Sequence, residues 1–324
     1  MMPRIFGNHA ALHLIRTMVQ SGHVPHACLL HGEKGLGKKT LARYFAMSAL
    51  CTGAVQPCME CSSCRKAVQD VHPDILWVEH SGKKQGFSVE TVRSICRDAI
   101  VAPNDGERKV YIFADCDSMD IRSQNTLLKL TEEPPPHVLL LFTAEHRNVF
   151  LETMLSRMVP LAVCPCTPED CRQALLEAGR TQAEAEQAVS ICGGNIGKCL
   201  EWLDSAEMQA MTKHAGELTA AIAAKRSYDI LRILAVYEKD RKAAAEFVRL
   251  LDLQLRDALV LKYTQDNLTG CDRQSAQALS QVLSVNRSAQ LHRAVQETYD
   301  ALQANVSPRL ALAALGGQIG RAHV

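Results

Sequence analysis

Aromatic residues are scarce: Phe, Trp and Tyr make up 5% of the 324 residues. A module that grips single-stranded nucleic acid by stacking bases needs such rings, so this composition argues against a stand-alone protein of that kind. The formal net charge is only +1. A chain that holds a duplex by itself carries a clear basic excess, and this one does not. No apolar run reaches the ~18 residues that a membrane-spanning helix needs, so no membrane partner is expected. Met1 to Arg16 is polar and charged throughout and lacks the apolar stretch of a secretory signal. The expected location is cytoplasmic, where structural disulfides are disfavoured. The 13 cysteines are therefore expected to be reduced, and most of them partly buried.

What is present is core-forming material. Apolar residues make up 47% of the chain. At roughly 150 residues per domain its length fits two or three domains. In the first half, short apolar runs alternate with segments of 3.6-residue period. The runs are Ala27 to Leu30, Ile75 to Val78, Val110 to Phe113, Val138 to Phe142 and Leu161 to Val163. Between them, Val89 to Ile100 and Arg122 to Glu133 read as helices, the second stopped by Pro134-Pro135-Pro136. Alternation of this kind predicts an α/β fold with a parallel sheet covered on both faces. Beyond about Pro165 the strand signals vanish. Thr167-Pro168-Glu169-Asp170 reads as a helix start, with acids suited to the first turn. Gly193-Gly194-Asn195 breaks the pattern, and a further helix is expected from Ile196. Later, Phe247, Leu250, Leu251, Leu255, Ala258 and Leu259 share one helical face, as do Leu291, Val295 and Leu302. The expected division is an α/β domain at 1–165, a small helical domain at 166–207 and an all-α domain at 208–324.

The run Ala27 to Leu30 leads into Gly32-Glu33-Lys34-Gly35-Leu36-Gly37-Lys38-Lys39-Thr40 and then a helical segment, Leu41 to Leu50. Gly32, Gly35 and Gly37 allow a tight loop whose N–H groups turn toward phosphate oxygens, and Lys38 is placed to reach the terminal phosphates. Strand, loop and helix stand in the order that a P-loop requires. One position departs: Lys39 stands where Ser or Thr would hold magnesium, and Thr40 comes one place late. One residue at a helix start is about 100° of rotation, so Thr40 is not expected to stand in. The strand Val110 to Phe113 should end in a metal-binding acid followed by a second acid. It is followed instead by Ala114-Asp115-Cys116-Asp117. Ala114 offers no oxygen, and Asp115 is shorter than the glutamate expected there. The bland reading of Asp115 and Asp117 is a solvated turn. Two magnesium-linked positions are thus damaged. ADP or ATP remains a possible ligand of the loop; hydrolysis is not expected.

Cys51, Cys58, Cys61 and Cys64 have the spacing C-x6-C-x2-C-x2-C. Four thiolates so spaced wrap one tetrahedral Zn2+, and four protein ligands leave no open position, so the expected zinc is structural. Gly53 and Pro57 suit a turning knuckle. Cys164, Cys166 and the solitary Cys171 read as structural thiols rather than ligands.

Several segments together resemble one family. Ile5-Phe6-Gly7-Asn8 with His26-Ala27, the cysteine module directly after the P-loop helix, Asn125-Thr126-Leu127-Leu128-Lys129-Leu130-Thr131-Glu132-Glu133-Pro134-Pro135, Leu155-Ser156-Arg157-Met158 and Asn305-Val306-Ser307-Pro308-Arg309-Leu310 are similar to the motifs of the delta-prime family of bacterial DNA polymerase III clamp loader subunits. The resemblance implies a RecA-like AAA+ domain, a three-helix lid and a helical collar that joins five subunits (delta and gamma or tau among them). It implies a machine that opens a sliding clamp and places it on primer-template DNA. Within that family the arginine of the Ser-Arg-Cys motif enters the neighbouring subunit's ATP site, a role that falls here to Arg157, with Met158 in place of the cysteine. A guanidinium suits it, being planar and always charged. Two further departures from active members are Ala144, where a polar sensor residue is expected, and Gly197 beside Lys198, where the lid carries an arginine.

The principal expectation is a non-hydrolysing, stator-like subunit with little or no ATPase activity of its own. The alternative is a catalytically active gamma- or tau-like ATPase of the same machine. Lys39, Ala114, Ala144 and Gly197 distinguish the two, since an ATPase would carry Ser or Thr, Asp, a polar residue and Arg there.

Overall fold

The computed structural model describes residues 4–78, 87–264 and 273–321. The first three residues of the Met1 to Arg16 segment lie outside them. The chain divides into two compact units, Met1–Cys166 and Thr167–Val324.

The first unit runs α1 (His9–Gln20), β1 (Ala27–His31), α2 (Lys38–Leu50), α3 (Ser62–Val68), β2 (Ile75–Val78), α4 (Val89–Asp98), β3 (Lys109–Phe113), α5 (Ile121–Glu132), β4 (Val138–Ala144), α6 (Glu152–Leu155) and β5 (Val159–Ala162). The five strands are all parallel, in the order β2-β3-β4-β1-β5. Parallel strands buried on both faces favour apolar side chains, and β3 and β4 are buried throughout; their polar members are Lys109, paired with Asp98 at 2.9 Å, and Thr143. Alternate residues serve opposite faces. Cys28, Leu30, Val110, Ile112, Leu139 and Leu141 pack with α1 and α2. Leu29, Tyr111, Phe113, Leu140 and Phe142 pack with α4 and α5. On that second face Phe113 and Phe142 stack at 5.0 Å.

The apolar runs locate the strands closely except at the last. β5 begins two residues before the run Leu161 to Val163, because its register with β1 runs from Cys28↔Val159 to His31↔Ala162. Pro160 lacks an N–H and hides the strand signal, but β5 is an edge strand, where proline is tolerated. α4 ends at Asp98 rather than Ile100. α5 begins at Ile121 rather than Arg122, since the Asp120 side chain caps it by accepting the Ser123 N–H.

One buried carboxylate fastens this sheet to its loops. Asp74, fully buried just before β2, accepts the backbone N–H groups of Asn104 (2.6 Å), Asp105 (2.8 Å) and Gly106 (3.1 Å) and the Asn104 amide (3.0 Å). The neighbouring His72 accepts the Asp74 N–H at Nδ1 (3.0 Å), which leaves Nε2 to donate to Ser63 Oγ on α3 (2.8 Å). Burial works to raise the Asp74 pKa, but the donors outweigh it and hold the carboxyl below its ordinary value. The stabilisation is therefore complete above the unfolded-state pKa, about 4. It is lost as pH falls through the lower folded-state value. Asp74→Asn is expected to cost about 2 kcal/mol at neutral pH. It should also flatten the dependence of stability on pH below about pH 5, measured by urea unfolding across a pH series.

The second unit is entirely helical among the described residues: α7 (Pro168–Glu177), α8 (Gln182–Cys192), α9 (Ile196–Asp204), α10 (Ala206–Ala223), α11 (Ser227–Ala235), α12 (Arg241–Val260), α13 (Arg273–Val282), α14 (Val285–Gln303) and α15 (Pro308–Arg321). The expected start at Thr167 is a capped helix with Pro168 in its first turn. Thr181 and Glu184 form a capping box, and Asn195 caps α9 after the Gly193-Gly194 break. The faces containing Phe247, Leu251 and Leu255 on α12 and Leu291, Val295 and Leu302 on α14 meet in one core, where Tyr237 stacks on Phe247 at 4.2 Å. No described helix is long and apolar enough to cross a membrane.

Candidate functional site

The phosphate loop lies between β1 and α2, at the carboxyl end of the sheet, where ligands of open α/β sheets bind. Gly32 needs to be glycine, since a Cβ there would stand 2.2 Å from the Val163 carbonyl oxygen. Gly35 and Gly37 have φ of +89° and +85°, and Gly37 caps α2. Lys38 is buried, and its Nζ donates to the carbonyls of Gly32 (2.7 Å) and Glu33 (2.9 Å) across the loop. Burial lowers its pKa, opposed by the charges of Glu145, Asp117 and Asp115, which face the loop.

The decisive contact is the next residue's. Lys39 Nζ pairs with Asp115 Oδ2 at 2.5 Å. Lys39 occupies the place where a magnesium-ligating hydroxyl is expected, and Asp115 follows the strand expected to carry the magnesium acids. The pair ties the start of α2 to the turn after β3, and both side chains are more than half exposed (55% and 51%). Thr40, half-buried, is not part of that pair.

The two aspartates after β3 are more than a solvated turn. Asp115 has φ of 56°, and its N–H donates to Thr143 Oγ1 at 2.9 Å. Asp117 accepts the backbone N–H groups of Glu145 (2.8 Å) and His146 (3.4 Å). Ala144 is the last residue of β4 rather than a position beyond the strand, and its carbonyl accepts the Gly32 N–H at 3.2 Å. The polar side chain at this strand end is Thr143, engaged in holding Asp115.

Below the loop helix, the sulfur atoms of Cys51, Cys58, Cys61 and Cys64 all lie within 4.8 Å of one another. A tetrahedral zinc with Zn–S of about 2.3 Å puts its sulfurs roughly 3.8 Å apart, so a small contraction suffices. Backbone N–H groups of Gly53 and Cys58 donate to Cys51 Sγ, that of Cys61 to Cys58 Sγ and that of Cys64 to Cys61 Sγ. Burial would raise the Cys61 thiol, but donors from Cys64 and Thr52 outweigh it and bring it down to about 6. Gly53 is sterically required, because a Cβ would meet Cys58 Cβ at 2.6 Å. The group can hold a zinc-class ion with every position filled by sulfur. Cys51, Cys64, Met47 and Ala67 pack it between α2 and α3.

Arg157 follows α6 on the surface of the same unit. Its guanidinium pairs with Glu132 Oε1 (2.9 Å) at the end of α5 and donates to the Thr153 carbonyl and to Ser156 Oγ (3.2 Å). The side chain retains 34% exposure. The segment carrying it is fixed by a glutamine whose residue type gives no sign of the role. Buried Gln124 donates to the carbonyls of Met119 (3.1 Å) and Val149 (2.8 Å) and accepts the Leu151 N–H (2.8 Å). Gln124 directly precedes the Asn125 to Pro135 motif, the only sequence cue to it. Cys171 is not solitary: its sulfur lies 3.6 Å from that of Cys199. Cys166 packs against Gly7.

Residues 7–166 match a family model described as DNA polymerase III, delta subunit. The chain is 33% identical over 142 residues to a protein named DNA polymerase III subunit delta' from Pseudomonas aeruginosa, covering 43% of each chain. It is 28% identical over 167 residues to the subunit delta' of Bacillus subtilis, covering 51% of this chain and 50% of the relative. It is also 28% identical over 173 residues to DNA polymerase III subunit tau of Escherichia coli, covering 53% of this chain and 26% of the relative. The match thus spans half the length or less of these relatives.

Proposed function

Because this chain belongs, through residues 7–166, to the delta-prime family of DNA polymerase III subunits, we propose that it is a non-hydrolysing, stator-like subunit of a clamp loader. The observation that carries this reading is the Lys39–Asp115 ion pair. Phosphoryl transfer needs a divalent ion bridging the terminal phosphates, held by a P-loop hydroxyl and an acid. Here the hydroxyl is replaced by an ammonium, and the acid that follows the strand is paired with it. Ala114 supplies no second ligand. A nucleotide taken up by Gly32, Gly35, Gly37 and Lys38 would be bound rather than cleaved.

The chain's contribution to ATP turnover is then made in trans. Arg157, exposed beyond α6 and held at a fixed angle by Glu132, is the group that would complete a neighbouring subunit's site. Zinc bound by Cys51, Cys58, Cys61 and Cys64 would be structural. It would brace the start of β2 through α3, Ser63 and His72. α7 to α9 would form the lid expected at 166–207 and α10 to α15 the collar expected at 208–324, with α10 beginning two residues earlier, at Ala206. The collar joins delta and gamma or tau subunits into a five-membered ring. The ring opens the sliding clamp and sets it on primer-template DNA.

The tau-like ATPase alternative has the resemblance to tau in its favour. It requires Asp115 to leave Lys39 and bind magnesium without help from residue 114. Fluorescent ADP and ATP binding with Mg2+ or with EDTA separates the two readings. The stator reading predicts wild-type affinity that changes less than about threefold with the metal, and a Lys39→Thr variant that gains dependence on Mg2+. A wild-type affinity that rises more than about tenfold with Mg2+ would favour the ATPase.

A further inference from the structure

The second unit holds a cleft of about 330 Å³ between α14 and α15. That is at the low end of the ~300–1,000 Å³ range of ligand clefts. Its floor is apolar, formed by Leu291 and Ala294, both buried. Its walls are polar. Arg287, Gln290 and Glu297 fall on one face of α14, spaced three and seven residues apart. Arg293 flanks them, and Gln318 comes from α15. The Arg287 guanidinium is held but not satisfied. Its Nη1 donates to Gln290 Oε1 at 3.1 Å, while its Nη2 is buried without a hydrogen-bond partner. A buried donor without an acceptor costs free energy, and more when it is charged. Among the described residues, the side chains of Arg293, Glu297 and Gln318 make no hydrogen bond or ion pair.

We propose that this cleft docks an acidic peptide segment of a partner protein, with a glutamate or aspartate side chain on Arg287 and Arg293 and an adjacent aliphatic side chain over Leu291 and Ala294. Charge complementarity selects the occupant. Two arginines against one glutamate leave the cleft positive. A carboxylate presents two oxygens to the guanidinium fork and so meets the free Nη2 of Arg287. Gln290 already orients that guanidinium, so little freedom is lost on binding. A nucleic-acid strand fits worse, because it repeats a negative charge at every phosphate and meets Glu297 in the same cleft. A peptide backbone offers N–H groups instead, which the Glu297 carboxylate and the Gln318 amide oxygen can accept. Gln290, Arg293 and Glu297 are exposed, so the cleft opens along α14 and a chain can run through it rather than end in it. The site lies in the second unit, whereas the phosphate loop and the cysteine module lie in the first, so its test does not depend on ATP chemistry.

The test is fluorescence polarisation with the zinc-loaded full-length chain. The probe is the peptide Ser-Gly-Leu-Glu-Leu-Glu-Gly-Ser, amidated at its C-terminus and labelled with a neutral fluorophore, so that its only carboxylates are side chains. The control peptide carries glutamine in place of glutamate. The acidic peptide should bind about tenfold or more tighter than the control, and its binding should weaken as salt rises. Arg287→Gln, checked for folding by circular dichroism, should weaken it by about tenfold or more. Arg293→Gln, at an exposed position that the fold does not need, should weaken it by about fivefold or more. Neither variant should change the control. Equal binding of the two peptides, no binding of the acidic peptide at protein concentrations up to about 1 mM, or full affinity in both arginine variants would overturn the proposal. So would an oligothymidylate that binds more tightly than the acidic peptide and loses that affinity in Arg287→Gln, which would make the cleft a nucleic-acid site.

Discussion

If Arg157 completes a neighbouring subunit's ATP site as proposed, Arg157→Ala is expected to leave the isolated chain folded and to cut turnover at that site by on the order of 10³-fold or more in the assembled loader. The two halves of this expectation rest on different contacts. For the fold, Arg157 offers an ion pair to Glu132 and bonds to Thr153 and Ser156 of the short helix before it, and both partners of the pair are over a third exposed. Such a pair is worth less than about 1 kcal/mol, so the melting curve should hardly move. For catalysis, a guanidinium delivered to a neighbour's phosphates meets the charge that develops in the transition state, where a lost donor costs most. Arg157→Lys keeps the charge but loses the planar fork, and should recover only part of the turnover. Glu132→Gln removes the partner that sets the guanidinium's angle. It should lower turnover less than Arg157→Ala while leaving nucleotide affinity unchanged. The measurement is steady-state ATP hydrolysis by loader reconstituted with each variant. Turnover equal to wild type with Arg157→Ala would show that another group completes the site.

The second large effect is expected at the cysteine module. Cys64→Ser should abolish zinc binding and lower the stability of the first unit by on the order of 5 kcal/mol, because structural zinc contributes folding free energy directly. Cys64 is fully buried and packs with Met47, Cys51 and Ala67 against α2, the helix that begins in the phosphate loop. Losing the ion should therefore loosen that helix from α3 and, through Ser63 and His72, weaken the hold on the start of β2. A chelator strong enough to strip the wild-type protein should reproduce the effect. Metal analysis and thermal unfolding check it. A wild-type protein without zinc, melting at the same temperature as Cys64→Ser, would contradict it.

The architecture was legible in the sequence where one local rule dominates. Strands buried on both faces must be continuously apolar, and Val138 to Phe142 has no other reading; β4 adds only Thr143 and Ala144. The helix starts at Thr167 and Ile196 follow from capping chemistry confined to a few neighbouring residues. The cysteine quartet is legible because its ligands are close in sequence. β5 was misplaced because Pro160 masks the apolar signal, and only pairing with β1 restores the register. The vacant chemistry around Lys39 and Asp115 was legible residue by residue, but their ion pair was not. It depends on sheet order bringing the end of β3 beside the loop after β1. Gln124 shows the same limit. Nothing in a glutamine's type announces that it will be buried with three backbone partners, and the segments it joins are distant in the chain. Cys171 and Cys199 are scattered in the sequence and meet only when α7 and α9 pack.

A stator-like subunit of this kind would contribute to ATP turnover through a neighbour and not by itself. The most direct test is Mg2+-dependent ATP hydrolysis by the purified chain alone, followed by hydrolysis after the other loader subunits are added. A non-hydrolysing subunit gives no turnover above background alone and stimulation on mixing. Robust Mg2+-dependent turnover by the isolated chain would contradict it, and would mean that Asp115 leaves Lys39 to bind the metal.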